Sequence, residues 1–225
     1  MYEFVSGPLF WVSVVIFVAG FVFRTVRLFQ LTERKQVVLC PVTIPKDKPA
    51  SSVSADEVKF EKIARFQNSV FGRHPVMVMA TALFHFCLFA APLLLMAHNL
   101  LIRRSFGIGL PSLPDGLVDF MTLIVLGGGL FFLVRRLAIP KVAAISCFDD
   151  FGVLFLTIMP YLTGFLAYHQ LFDPKTLATL HAFTGDVMLI ALPFTKVGHM
   201  VFFFFFRLTM GGEYGLGREK RVWSA

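Results

Sequence analysis

The chain has 225 residues, of which 56% are apolar and 16% charged, and its mean hydropathy is +0.74. This composition excludes an ordinary soluble protein and leaves too little polar sequence for a second domain. The formal net charge of +7 is no argument for a nucleic-acid partner, because much of it lies in loops where it would set membrane orientation.

Apolar stretches long enough to cross a bilayer recur along the whole chain. A transmembrane helix needs about 20 mostly apolar residues, and five segments qualify, at about 8–29, 75–102, 117–134, 151–171 and 177–206. The first is predicted to be a retained span, because it lacks the positive start of a secretory signal and runs into charged sequence. We therefore predict one all-α integral membrane domain over residues 1–225, a bundle of five transmembrane helices in contact with the lipid bilayer.

The positive charges predict the orientation of this bundle. Lys and Arg concentrate in the loop of residues 30–74, in the short loop after the third span and in the tail of residues 207–225. Five spans place these three regions on one side of the membrane. By the positive-inside rule, the N-terminus is predicted outside and the C-terminus in the cytoplasm.

Four of the six histidines fall inside predicted spans, at depths that match in pairs. At about 1.5 Å per residue, His85 and His98 lie about 15 and 35 Å from the cytoplasmic edge of the second span. Counted back along the fifth span, His199 and His181 lie about 10 and 37 Å from the same edge. Two facing imidazoles at one depth are the ligand set of a six-coordinate haem iron. Depth therefore favours the pairs His85–His199 and His98–His181.

Helical phase gives a second test of these pairs. His181 and His199 are eighteen residues apart, about five turns of a continuous helix, and would share a face. His85 and His98 are thirteen apart and would not, so their pairing requires a distortion of the second span, which we expect near Pro92. His74 does share a face with His85 and stays open as the alternative second ligand on this span.

Four other polar positions admit functional and structural interpretations. Arg103, like Arg104 beside it, could pair with haem propionates or anchor the helix end at the interface. Lys196 could reach a propionate or extend to the interface. Asp186 could serve a proton or quinone site, or be a neutral or Arg-paired structural acid.

The three scattered cysteines predict no disulfide framework and no zinc or iron–sulfur site, and the lack of Cys-x-x-Cys-His excludes thioether-bound haem.

Three segments carry a resemblance to a known family. They are Leu83-Phe84-His85, the run from Arg135 to Val142, and the run from Leu180-His181 through Leu192-Pro193-Phe194 to His199. These resemble the NarI-type cytochrome b family, which includes the gamma subunit of nitrate reductase. The long loop of residues 30–74 makes the chain more similar to the small cytochrome b subunits of sulfate-reducer redox complexes of the Hmc or Tmc type.

The resemblance implies two b-type haems stacked across the bacterial inner membrane. His85 and His199 would hold the cytoplasmic-side haem, and His98 and His181 the outer one. It also implies a multisubunit complex of anaerobic respiration, with other membrane subunits, a periplasmic multihaem cytochrome c and a cytoplasmic iron–sulfur subunit. Whether this subunit itself oxidises or reduces menaquinone stays open. The alternative function is a haem-free membrane scaffold or transporter subunit, in which the histidines serve packing or ion binding.

Overall fold

The computed structural model describes residues 1–31, 67, 70–199 and 202, and this part of the chain contains helices and no strand. The all-α fold class predicted from the sequence is confirmed. Most of the predicted loop of residues 30–74, the predicted tail of residues 207–225 and the end of the predicted fifth span lie outside the described residues.

Six helices of more than ten residues make up the described part. They are α1 (Phe10–Leu31), α2 (Pro75–Leu94), α3 (Met96–Phe106), α4 (Asp115–Ala138), α5 (Phe148–Tyr168) and α6 (Pro174–Ala191). Short helical turns add Tyr2–Phe4, a π-helical turn at Val5–Leu9, Val70–Arg73, Pro140–Ala143 and a 3₁₀ turn at Lys196–Gly198.

Within the described residues, four helices are long and apolar enough to cross a membrane: Tyr2–Gln30, Pro75–Leu94, Asp115–Ala138 and Phe148–Tyr168. Their outward faces carry large apolar side chains such as Val15, Phe86 and Phe155, each more than 60% exposed. Apolar surface this extensive is typical of a face that contacts lipid. These helices indicate a multi-pass membrane protein.

The second and fifth predicted spans are not single straight helices. In the second, α2 ends at Leu94, and Leu95 takes an extended conformation (φ −73°, ψ 129°) before α3 begins at Met96. The distortion expected near Pro92 is therefore present, three residues later. In the predicted span 177–206, α6 ends at Ala191 and is followed by turns and the 3₁₀ segment. The expectation of a continuous helix from His181 to His199 was wrong, because Pro193 has no amide hydrogen with which to continue the helical hydrogen bonding.

The helices pack side by side in the order α2, α4, α5, α6, α1. The buried core lies between α2 and α4 and consists of residues at helical spacing on both: Phe84, Cys87, Leu88, Ala91, Val118, Met121 and Val125. Two glycines of α4 allow the close approach of its neighbours. A Cβ on Gly128 would overlap the ring of Phe84 on α2, and one on Gly129 would overlap Ile158 on α5.

A tyrosine compensates for the proline inside α2. Pro92 has no amide hydrogen to donate to the carbonyl of Leu88, four residues earlier. The hydroxyl of Tyr161, from α5, donates a hydrogen bond to that carbonyl oxygen instead. A backbone carbonyl left unsatisfied in an apolar environment is costly, so this bond both stabilises the interrupted helix and fastens α5 to α2.

Candidate functional site

The structure brings His98 and His181 into direct apposition. Their Nε2 atoms are 3.5 Å apart, their ring centroids are 5.8 Å apart, and the ring planes are within 10° of parallel. His98 lies in the first turn of α3, immediately after the break at Leu95, and His181 lies in α6. The break thus reorients the chain so that a histidine thirteen residues after His85 points towards α6.

Each ring of this pair is held through its other nitrogen. Nδ1 of His98 lies 2.9 Å from the carbonyl oxygen of Pro92, and Nδ1 of His181 lies 3.0 Å from that of Pro160. A carbonyl oxygen can only accept, so both Nδ1 atoms carry hydrogen. The Nε2 atoms of the two rings therefore carry no hydrogen, and their lone pairs point at each other. Two lone pairs at this separation repel, and a cation between them would remove the repulsion.

Helix α5 packs against the ring of His181. A Cβ on Gly164 would lie 3.0 Å from Cε1 and 3.1 Å from Nδ1 of the His181 ring, so a larger residue would displace the imidazole. The hydroxyl of Thr163, which is almost fully buried, lies 3.5 Å from Nδ1 of His181 and 3.1 Å from the hydroxyl of Thr184. Sequence reasoning missed Gly164 and Thr163, because only the packing of α5 on α6 relates them to the histidine.

His85 and His199 form a second pair. Their ring centroids are 6.1 Å apart and their planes are nearly perpendicular, at 82°. Nδ1 of His85 lies 2.7 Å from the carbonyl oxygen of Thr81, and Nδ1 of His199 lies 2.6 Å from that of Lys196. All four histidines thus donate Nδ1–H to a backbone carbonyl. Both pairs are the ones that depth predicted, and His74, the alternative ligand, is instead the exposed residue preceding α2.

The segment that carries His199 is fixed from several sides. Arg24 of α1 donates to the carbonyl oxygen of Pro193 over 2.8 Å. Gly20 leaves room for the Pro193 ring, since a Cβ there would lie 2.7 Å from it. The hydroxyl of Thr195 accepts from the amide of Val197 at the start of the 3₁₀ turn. Contacts with other helices therefore position His199, which lies beyond the end of α6.

Charged groups cluster at the His199 end of the bundle. Asp150 Oδ1 lies 2.9 Å from Nζ of Lys196, and Asp150 Oδ2 lies 3.6 Å from a guanidinium nitrogen of Arg136. The ammonium of Lys196 is thus paired with a carboxylate of α5.

At the opposite end of the bundle, Arg103 and Arg104 are exposed in the last turn of α3, soon after His98.

Two further carboxylates have distinct environments. Asp186 is 3% exposed, lies on the α6 face towards the fully buried Ser13 of α1, and has one carboxylate oxygen that forms no hydrogen bond within the described part of the chain. Asp119 of α4 lies 3.1 Å from Nε2 of His169 at the end of α5. Sequence reasoning missed the Asp119–His169 pair, which only the packing of α4 against α5 reveals.

A carboxylate caps the start of α6, the helix that carries His181. The carboxylate of Asp173 accepts from the Thr176 hydroxyl over 2.7 Å and from the Thr176 amide over 2.8 Å. These two hydrogen bonds favour the charged form and hold the pKa of Asp173 below its ordinary value. The cap fixes the first turn of the helix that carries His181.

The chain has a relative among known proteins. It is 30% identical over 218 residues to a protein of Nitratidesulfovibrio vulgaris (strain Hildenborough) described only as "Protein", and the alignment covers 97% of this chain and 95% of that one. No family model matches the chain.

Proposed function

The chain belongs to the same family as the Nitratidesulfovibrio vulgaris protein, and we propose that it is a di-haem cytochrome b, the electron-carrying membrane subunit of a respiratory redox complex. The observation that carries the proposal is the His98–His181 pair, in which two Nε2 lone pairs face each other across 3.5 Å. A second pair, His85–His199, brings two further imidazoles together elsewhere in the bundle, with ring centroids 6.1 Å apart.

The donor set of each pair fits a haem iron. Such an iron takes its equatorial ligands from the porphyrin and needs two axial ligands from the protein. A metal–imidazole bond is about 2 Å long, so two bonds in line place the Nε2 atoms about 4 Å apart. The His98–His181 distance is half an ångström short of this value. For the second pair, the ring centroids are 6.1 Å apart, which leaves room for a metal ion between the two imidazoles.

The chain's own groups would orient and tune these ligands. A ligand imidazole that donates its other ring N–H to a carbonyl is fixed in one tautomer and made more basic. Pro92, Pro160, Thr81 and Lys196 supply those carbonyls. When bound, haem b would supply a reversible one-electron couple. Arg103 remains a candidate for a haem propionate, whereas the ammonium of Lys196 is paired with Asp150.

We further propose that the chain spans the bacterial inner membrane five times, with its N-terminus outside and its C-terminus in the cytoplasm. The fifth span would be the apolar segment 177–206 predicted from the sequence. The two sites would then lie at different depths, with His98–His181 nearer the outside. Electrons would cross between a periplasmic multihaem cytochrome c or menaquinol and a cytoplasmic iron–sulfur subunit, within a complex that includes other membrane subunits. The buried Asp186 is the candidate for a proton or quinone site.

A pyridine-haemochrome assay on the detergent-purified chain tests this function. The wild-type chain is expected to bind about two haems b, and His→Ala changes at His85, His98, His181 and His199 are each expected to remove one. His169→Ala is the matched control, because this histidine is paired with Asp119 and belongs to neither site; it is expected to leave both haems. A wild-type chain that binds no haem, when produced with sufficient haem and its partners, would contradict the proposal and favour the haem-free scaffold.

A further inference from the structure

We propose that Asp150 is a positioning residue for His199 and acts through Lys196. The inference rests on the proposed function, since it assigns the means by which one of the proposed axial ligands is oriented. Neither Asp150 nor the side chain of Lys196 would contact the metal. Their role would be to fix the short 3₁₀ turn whose carbonyl holds the His199 ring.

The carboxylate of Asp150 is fixed by its own helix. Asp150 is the third residue of α5, and its Oδ2 accepts the backbone N–H of Cys147 over 2.9 Å, as part of a capping box. The guanidinium of Arg136, at the end of α4, lies 3.6 Å from the same oxygen and donates to the Ser146 hydroxyl over 3.1 Å. The Asp150 carboxylate is therefore held in a fixed position at the junction of α4 and α5.

Lys196 links the Asp150 carboxylate to His199. Its ammonium lies 2.9 Å from Asp150 Oδ1, and its carbonyl oxygen accepts the Nδ1–H of His199 over 2.6 Å. Side chain and carbonyl belong to one residue, so the ion pair constrains the peptide that orients the imidazole. Val197 and Gly198, which follow, are buried, and a Cβ on Gly198 would lie 3.1 Å from the carbonyl oxygen of Leu192.

His199 depends on such an external contact more than the other three histidines do. His85 bonds a carbonyl of its own helix, and His98 and His181 bond the carbonyls of Pro92 and Pro160, which lie in α2 and α5. The carbonyl that holds His199 belongs to a three-residue turn outside any α-helix. A turn this short has little cooperative stability of its own, so a contact such as the Lys196–Asp150 ion pair can influence its geometry.

Global stability is not what the ion pair supplies. The Lys196 side chain is 56% exposed, and exposed ion pairs contribute little to the free energy of unfolding. Its effect would instead be local, on the orientation of one ring. A positioning role therefore predicts a change in the orientation of the His199 ring with little change in the free energy of unfolding.

The test compares variants of the two partners in the purified chain loaded with haem. Asp150→Asn keeps an oxygen that can cap Cys147 and removes the charge that holds Lys196. Lys196→Met removes the other partner and leaves the backbone carbonyl in place. The readout is the low-spin EPR signal of each haem, because the relative orientation of two axial imidazole planes sets the anisotropy of that signal. Haem affinity at each site is measured in parallel.

Both variants are expected to change the signal of the His85–His199 haem in the same direction. Each should weaken haem binding at that site about tenfold, the lower end of the range for lost outer-shell partners, with the His98–His181 signal unchanged. A simple charge effect would instead shift the midpoint potential in opposite directions, since one variant removes a negative and the other a positive charge. Opposite potential shifts with an unchanged EPR signal would overturn the proposal.

Two controls and a haem-independent measurement complete the design. Asp149→Asn removes the same charge one residue earlier, where the side chain is exposed, and is expected to leave both EPR signals unchanged. Lys196→Arg keeps the positive charge that pairs with Asp150 and is also expected to leave both signals unchanged. In the haem-free chain, Asp150→Asn should accelerate amide exchange in the peptide of residues 192–199. Equal effects of Asp149→Asn and Asp150→Asn would refute the positioning role alone, whereas a wild-type chain without haem would refute the proposed function as well.

Discussion

His98 and His181 direct their Nε2 atoms at each other across 3.5 Å, while each ring donates Nδ1–H to the carbonyl of a proline inside a transmembrane helix. The prolines belong to different helices, Pro92 to α2 and Pro160 to α5. The rings are thus oriented by backbone groups, which cannot rotate as side chains do. Such prearranged donors bind a metal without a further loss of side-chain freedom.

The two sites should give different EPR signals. The imidazole planes are 10° apart at His98–His181 and 82° apart at His85–His199. Nearly parallel planes give a rhombic low-spin signal, and perpendicular planes give a strongly anisotropic one with a large maximum g value. We expect one signal of each kind from the oxidised chain, with His199→Ala removing the anisotropic signal and His98→Ala the rhombic one. Two rhombic signals would contradict the ring geometry at His199.

Gly164 should be required for the His98–His181 site. A methyl group there would press on the His181 ring at 3.0–3.1 Å, and overpacking of this kind costs about 1–3 kcal/mol. Gly164→Ala is therefore expected to lower haem affinity at this site by roughly tenfold or more and to leave the other site filled. Gly152→Ala, in the same helix with nothing within 4 Å of the added Cβ, is the control. Equal haem contents in the two variants would refute the prediction.

The Tyr161 hydroxyl should stabilise the helix interrupted by Pro92. Tyr161→Phe leaves the Leu88 carbonyl without its donor, which is expected to lower the free energy of unfolding by about 1–3 kcal/mol. The double variant Pro92→Ala/Tyr161→Phe restores an amide hydrogen at residue 92. Unfolding measured in mixed detergent should show a smaller cost of Tyr161→Phe in the Pro92→Ala background. Additive effects of the two changes would show that Tyr161 does not replace the missing amide.

The cap of α6 should make stability depend on pH in the acid range. The pKa of Asp173 is lowered in the folded chain by two hydrogen bonds from Thr176, relative to an ordinary value of 3.8. Its stabilising contribution is therefore complete above that value and is lost as pH falls through the lowered pKa. Thermal unfolding between pH 2 and 6 should show a steeper acid decline for the wild type than for Asp173→Asn, which keeps a capping oxygen but does not titrate. Identical slopes would contradict the assignment.

Much of the helix layout follows from the sequence, because long apolar runs bounded by charge or proline leave few alternatives. The second span begins at Pro75 as predicted, and the third and fourth differ from α4 and α5 by a few residues at each end. The fifth did not follow, since its apolar run continues past Pro193 although the helix ends at Ala191. Hydropathy alone does not register a turn inside an apolar stretch.

The histidine pairs could be predicted from depth, but their surroundings could not. His98 and His199 each contact a carbonyl only a few residues away in the sequence, that of Pro92 and that of Lys196. These contacts depend on the geometry of interruptions in the helices, which the periodicity of the sequence does not predict. The contact of His181 with Pro160, and its clearance by Gly164, require knowledge of how α5 packs on α6. Ring orientation, which would control the properties of a bound haem, is therefore a tertiary feature.

The most direct test of the central claim is the haem content of two double variants, since it asks which histidines share a site. His98→Ala/His181→Ala should retain one haem, as each single variant does, because both changes destroy the same site. His98→Ala/His199→Ala should retain none, because it removes one ligand from each site. If the first double variant lost both haems, or the second kept one, the pairing of His98 with His181 and of His85 with His199 would be wrong.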